Sequence, residues 1–164
     1  ANALDTLLRA AERLVALPGV KLVLFGDGSD KPRLQRLLSD IKLPNLCLAD
    51  PVAPELVPDI LGAADIGIAS LRQTEIFKTV RPNKLYEYMA VGLPIICCID
   101  GEARRLVETV DSGVYVTPED DRGLANALQR TPLWERDGFF QRSDCDVRSL
   151  APLGPSGGSS YQME

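Results

Sequence analysis

The segment Pro82-Asn83-Lys84-Leu85-Tyr86-Glu87-Tyr88-Met89-Ala90-Val91-Gly92-Leu93-Pro94-Ile95-Ile96-Cys97-Cys98-Ile99 passes once from one kind of backbone to another. Proline has no N–H to donate, so Pro82 fits a helix only in its first turn, and nothing from there to Val91 interrupts a helix. Gly92-Leu93-Pro94 ends it. The apolar run from Ile95 to Ile99 is too short for a helix and suits a strand buried on both faces. A buried strand fed by a helix is half of a βαβ unit, and the same alternation extends in both directions.

Upstream, residues 3–16 place Leu4, Leu7, Leu8, Ala11, Leu14 and Val15 on one helical face, with Arg9, Glu12 and Arg13 opposite. A strand is expected over residues 20–25, closed by Gly26-Asp27-Gly28. A helix capped by Asp30 follows, carrying Leu34, Leu37, Leu38 and Ile41, and then a strand over 45–49 that ends at Asp50-Pro51. A helix over 58–64, a strand over 65–71 and a long irregular loop lead to Pro82. Downstream come a helix over 102–110, Gly113 as its left-handed cap, a strand over 114–116 and a helix over 120–130. Such alternation predicts an α/β fold: a Rossmann-like parallel sheet with helices on both faces, joined by right-handed crossovers. A sheet of this kind normally begins with a strand, so a first strand is expected ahead of Ala1. Beyond Thr131 the pattern fails. Gly, Pro and Ser make up 8 of the last 14 residues, so 131–164 reads as a C-terminal extension, partly flexible.

Composition narrows the chemistry. The chain has 164 residues, 45% of them hydrophobic and 25% charged, as in an ordinary globular domain. No apolar run approaches the roughly 20 residues that span a bilayer. There is no histidine, which excludes a Ser-His-Asp triad, an imidazole base and any metal site built on imidazole; no metal is expected. A net charge of -5 argues against non-specific nucleic-acid binding, which depends on basic patches. Cys47, Cys97, Cys98 and Cys145 show no zinc spacing and read as buried free thiols of a cytoplasmic protein.

Open parallel sheets bind ligands beyond the carboxyl ends of their strands, here the loops after Phe25, Ala49, Leu71, Ile99 and Val116. The richest is 72–87, which brings Arg72, Lys78, Arg81 and Lys84 to the start of a helix. A helix N-terminus offers free N–H groups and a positive dipole end, so cations beside it suit a diphosphate. Glu87, one turn on, is an acceptor for the vicinal hydroxyls of a ribose. The plainer reading, a solvated basic loop with Glu87 paired to Lys84, stays open. Gly26-Asp27-Gly28 matches only part of a dinucleotide fingerprint, because the third glycine falls at Lys31; close approach of a ligand and a plain turn both fit. Asp100-Gly101-Glu102 offers amides and carboxylates at another strand end, or is simply a turn. Tyr86, Tyr88 and Met89 are expected to pack the helix on the sheet.

At these residues the chain resembles a known family. Lys84-Leu85-Tyr86-Glu87-Tyr88-Met89-Ala90-Val91-Gly92-Leu93-Pro94-Ile95-Ile96 is similar to the signature of retaining glycosyltransferases of the GT-B fold, family four. Leu24 to Gly28, Ile60 to Gly67 and Gly113 to Asp120 resemble further elements in the same order. The stretch from Phe77 to Lys84, with Asp100 to Ala103, resembles a subgroup acting in bacterial surface-polysaccharide and lipopolysaccharide assembly.

The resemblance implies that 1–130 is the nucleotide-sugar (donor) binding domain, the C-terminal half of a GT-B fold. An acceptor-binding domain, and a strand and loop carrying an Arg and a Lys for the diphosphate, would precede Ala1. It implies that Glu87 holds the ribose and that Asn83 and Lys84 meet the diphosphate, with Arg81, Pro82 and Leu85 at the same helix start. Gly26 and Gly28 would form the glycine turn, and Pro51 and Val52 would meet the base. The family's first motif glutamate falls at Thr79, which points to altered contact with the donor sugar; Glu87, Lys84 and Thr79 are the catalytic candidates. The partners implied are a UDP-sugar, taken as substrate with no cofactor, and a glycan or lipid-linked acceptor, with the full-length protein cytoplasmic or peripheral to the inner membrane. The fragment alone is expected to be inactive. Two alternatives stand beside this: a nucleotide-sugar epimerase of the same fold, and a non-catalytic nucleotide-binding α/β module.

Overall fold

A computed structural model describes residues 2–17, 19–28 and 30–130. In chain order the elements are α1 (Leu4–Leu14), β1 (Leu22–Phe25), α2 (Lys31–Ile41), β2 (Leu46–Ala49), α3 (Val57–Ala63), β3 (Gly67–Ser70), α4 (Asn83–Ala90), β4 (Ile95–Cys98), α5 (Glu102–Thr109), β5 (Gly113–Tyr115) and α6 (Asp121–Arg130). Short 3-10 turns precede α3, at Pro54–Leu56, and α4, at Ile76–Thr79. The expected extension after Thr131, with Cys145, lies outside the described residues.

Every strand pair is parallel. β1 runs beside β2 from Leu22↔Leu46 to Phe25↔Ala49. β3 runs beside β4 from Gly67↔Ile95 to Ser70↔Cys98, and β4 beside β5 from Ile95↔Gly113 to Cys97↔Tyr115. Among the described residues β1 and β3 are not paired, so the strands form two ladders, β1-β2 and β3-β4-β5, where one continuous sheet was expected. Side chains join them. Leu22 and Leu46 of the first ladder share a core with Ile96 and Cys98 of the second, under Leu7, Leu8, Ala11 and Leu14 of α1, Leu34 of α2 and Leu124 of α6.

The apolar run of β4 is explained by its two faces. Successive strand residues point to opposite sides. Ile96 and Cys98 face the core under α1 and α6, while Ile95, Cys97 and Ile99 face a second core with Ala69, Leu71, Leu85 of α4, and Ala103 and Val107 of α5. Helices therefore cover both faces of this ladder, as expected.

Some local expectations change. Pro82 is the N-cap of α4, not its first residue, with ψ 141°. The left-handed residue after α5 is Asp111, at φ 50°, and Gly113 lies within β5. Gly113 is needed for closeness instead: a Cβ there would lie 1.9 Å from the Ile95 carbonyl oxygen. Asp30 makes no side-chain cap on α2 and bonds Arg33 at 2.6 Å. Val15 and Tyr86 are about half exposed, so neither packs as expected, whereas Tyr88 joins the second core.

Candidate functional site

The site is assembled by parallel strands, which deliver their carboxyl ends to one side. At the end of β3, the Ser70 hydroxyl donates to the Asn2 carbonyl at 2.8 Å. At the start of α4, the Lys84 ammonium donates to the Asn2 side-chain oxygen at 3.2 Å. The chain entering α1 thus meets the end of β3 and the first turn of α4 at one point. No side-chain hydrogen bond caps the start of α4, and the first N–H groups of a helix have no partner within it. Burial holds the Lys84 ammonium below the usual lysine range, opposed by the charge of Glu87. Lys84 directs its hydrogen bond to Asn2, so the plain Lys84–Glu87 pair is not what forms. Glu87 is half-buried one turn along the helix.

The other candidates are in unequal states. Leu85 is fully buried in the second core and its N–H goes to the Pro82 carbonyl at 3.0 Å, so it anchors the helix and presents no side chain to the site. Asn83 is exposed. Thr79 is exposed too, and its hydroxyl donates to the Ile76 carbonyl at 3.0 Å, closing the 3-10 turn. Arg81 bonds Glu102 at 2.7 Å and Lys78 bonds Glu75 at 2.6 Å. Each carboxylate raises the pKa of its partner. Arg72 is exposed, and its charge helps to hold the Asp30 carboxyl below its usual value, after the dominant hydrogen bond from Arg33. The loops after β1 and β3 therefore lie within electrostatic reach of each other.

Gly26, at φ 144°, has a backbone that favours glycine, while Gly28 has open space where a side chain would be. Lys31 ties this turn to the next loop through Asp50 at 2.7 Å, beside Pro51 and Val52. The Gly26 N–H also donates to the Ala49 carbonyl at 3.4 Å, so the glycine turn meets the loop that carries Pro51 and Val52. A groove of about 580 Å³ lies elsewhere, between β5 and α6, and none of the expected site residues lines it.

The sequence model of the family described as Glycosyl transferases group 1 matches residues 1–131. This chain belongs to that family. Among curated proteins, a relative is TuaH of Bacillus subtilis, named as a teichuronic acid biosynthesis glycosyltransferase. It is 36% identical over 56 residues, which are 34% of this chain and 14% of that protein. Two crystal structures of Anabaena Alr3699/HepE share the fold, which is GT-B. The complex with UDP and glucose matches at TM-score 0.59 and 24% identity, over 76% of this chain and 33% of that one. The complex with UDP matches at TM-score 0.53 and 20% identity, over 77% and 36%. This group 1 chain spans about a third of the HepE chains and a seventh of TuaH.

Within the group 1 domain, Asn2 is the site residue that sequence reasoning missed. It lies 82 positions from Lys84, at the rim of a helix expected from its periodicity alone, and no local pattern links the two. The one available signal was its position immediately before a helix that opens an α/β unit. None of the described helices is long and apolar enough to cross a membrane.

Proposed function

We propose that this chain is the donor-binding domain of a glycosyltransferase that moves a sugar from a UDP-sugar to a glycan or lipid-linked acceptor with retention, in bacterial polysaccharide or lipopolysaccharide assembly. One observation carries the reading: the uncapped start of α4 meets a desolvated lysine, Lys84, in the corner made by Asn2 and the end of β3, with Glu87 one turn away. In the transfer, the bond from sugar C1 to the diphosphate oxygen breaks, the electron pair leaves with the nucleotide, and the acceptor oxygen bonds to C1 as its proton passes to the departing diphosphate. The domain's task is to meet charge developing on the leaving diphosphate with preset amides and a cation, which act most strongly where water is excluded. Glu87 would accept from the ribose hydroxyls, and Asn83 and Arg81 would meet the diphosphate at the same helix start, with Arg72 adding charge from the loop after β3. Thr79 would stand near the donor sugar.

The group 1 membership and the UDP bound in two HepE structures of the same fold support this assignment. The acceptor would be held by a domain ahead of Ala1. A strand ahead of Ala1, lying between the mutually unpaired β1 and β3, would also make the two ladders one sheet; the meeting of Asn2 with the end of β3 supports that placement.

Calorimetry on the full-length enzyme tests the site. Lys84→Ala and Glu87→Ala each weaken UDP binding, and unchanged affinity in both removes the assignment. The pH profile gives a second arm. The folded pKa of Lys84 lies below its unfolded value, so the ammonium costs stability while charged, and that cost is relieved as pH rises through the folded value. UDP affinity falls over the same alkaline interval, and Lys84→Arg, charged throughout, removes that limb.

A further inference from the structure

The loop 72–82 carries Arg72, Lys78 and Arg81 into α4, yet has only the turn Ile76–Thr79 as structure of its own. Phe77 and Val80 anchor it to the second core from below. That anchorage does not determine where Thr79 and Arg81 point. The turn after β4 supplies what is lacking. At Gly101, φ 78°, the backbone lies so close to the loop that a Cβ would be 2.0 Å from the Lys78 carbonyl oxygen and 2.7 Å from its carbon. These are backbone atoms, which cannot swing away as the end of a side chain can. The next residue, Glu102, accepts hydrogen bonds from Arg81 at 2.7 Å and from Arg105 of α5 at 2.8 Å. Tyr86 of α4 is a further partner of Arg81.

We propose that Gly101 and Glu102 are positioning residues of the donor site: Gly101 seats the loop backbone at Lys78, and Glu102, braced by Arg105, sets the direction of Arg81 beside the start of α4. Neither residue touches the donor. They act through the loop, so their loss shows as weaker diphosphate binding by a protein that remains folded. This rests on the donor-site assignment above, because Arg81 has a donor to address only if α4 begins at one.

The test is UDP calorimetry on the full-length protein, with the thermal midpoint of each variant measured alongside. Glu102→Ala weakens UDP binding about tenfold, within the usual range of coupling between sites, and Glu102→Gln, which keeps one acceptor oxygen, weakens it less. In the Arg81→Ala background Glu102→Ala has no further effect, since its action passes through Arg81. Gly101→Ala weakens UDP binding and also speeds hydrogen exchange at the amides of 76–79. Wild-type affinity in Glu102→Ala, tighter binding in it, or effects of Arg81→Ala and Glu102→Ala that simply add, each overturns the proposal. Those results leave the donor site standing if Lys84→Ala is still impaired. A wild-type protein that does not bind UDP removes both.

Discussion

The two ladders of this domain have the same parallel geometry and different surroundings. In β4 all the residues from Ile95 to Cys98 are buried, because helices cover both of its faces. In β1 and β2 only the first residue of each, Leu22 and Leu46, is buried, and the rest are half covered. The difference shows that strand burial here follows from the layers above and below more than from strand composition. Leu-Val-Leu-Phe in β1 is as apolar as Ile-Ile-Cys-Cys in β4. The fully buried strand, β4, lies next to the helix that carries Lys84 and Glu87.

Thiol chemistry separates the ladders most widely. Burial pushes the Cys97 thiol up to about 11 and the Cys98 thiol up to about 12, while Cys47 of β2 is only half-buried. At pH 8 a thiol near 11 is ionised about one part in a thousand, and the thiolate is the species that reacts. Iodoacetamide followed by peptide mapping therefore marks Cys47 in the native protein and reaches Cys97 and Cys98 only after unfolding. Equal labelling of all three breaks the contrast.

A smaller effect is expected in stability. Ile96→Ala removes a fully buried side chain from β4, the middle strand of the second ladder, and costs about 3 kcal/mol. Leu24→Ala in β1 costs about 1 kcal/mol, the common value for a half-covered site. Urea titration of both variants checks the ratio, and equal costs mean that the first ladder is packed as tightly as the second.

Smallest is the tie between Arg13 of α1 and Asp121 of α6, on helices that share the face beneath both ladders. It is an exposed ion pair, so Arg13→Ala shifts the urea midpoint by the equivalent of about 0.5 kcal/mol or less. A larger loss would assign the union of the ladders to charge and away from the apolar core.

The sequence made the elements and their order legible because each depends on neighbours: β4 on its apolar run, α4 on Pro82 and Gly92, and β1 on the turn at Gly26. The placement of Lys84 and Glu87 one turn apart on one helix was legible for the same reason. What depended on distant partners was hidden. The half-exposure of Tyr86 and the role of Gly113 against Ile95 follow from packing between elements far apart in the chain. The division into two ladders is a matter of pairing, which no local apolar pattern encodes. Arg81 read as a free cation because its partner, Glu102, is 21 positions away on another helix. Asn2 was hidden by its separation of 82 positions from Lys84.

That separation bears on when the site comes into being. Asn2 meets Ser70 across 68 positions and Lys84 across 82. Contacts this distant in sequence form late, since the chain must first lose the entropy of closing the loop between them. During synthesis Asn2 leaves the ribosome long before Lys84 does, so β1, β2 and their helices can order while the corner that would hold the diphosphate does not yet exist. The corner between Asn2, Ser70 and Lys84 then closes only once α4 has been made.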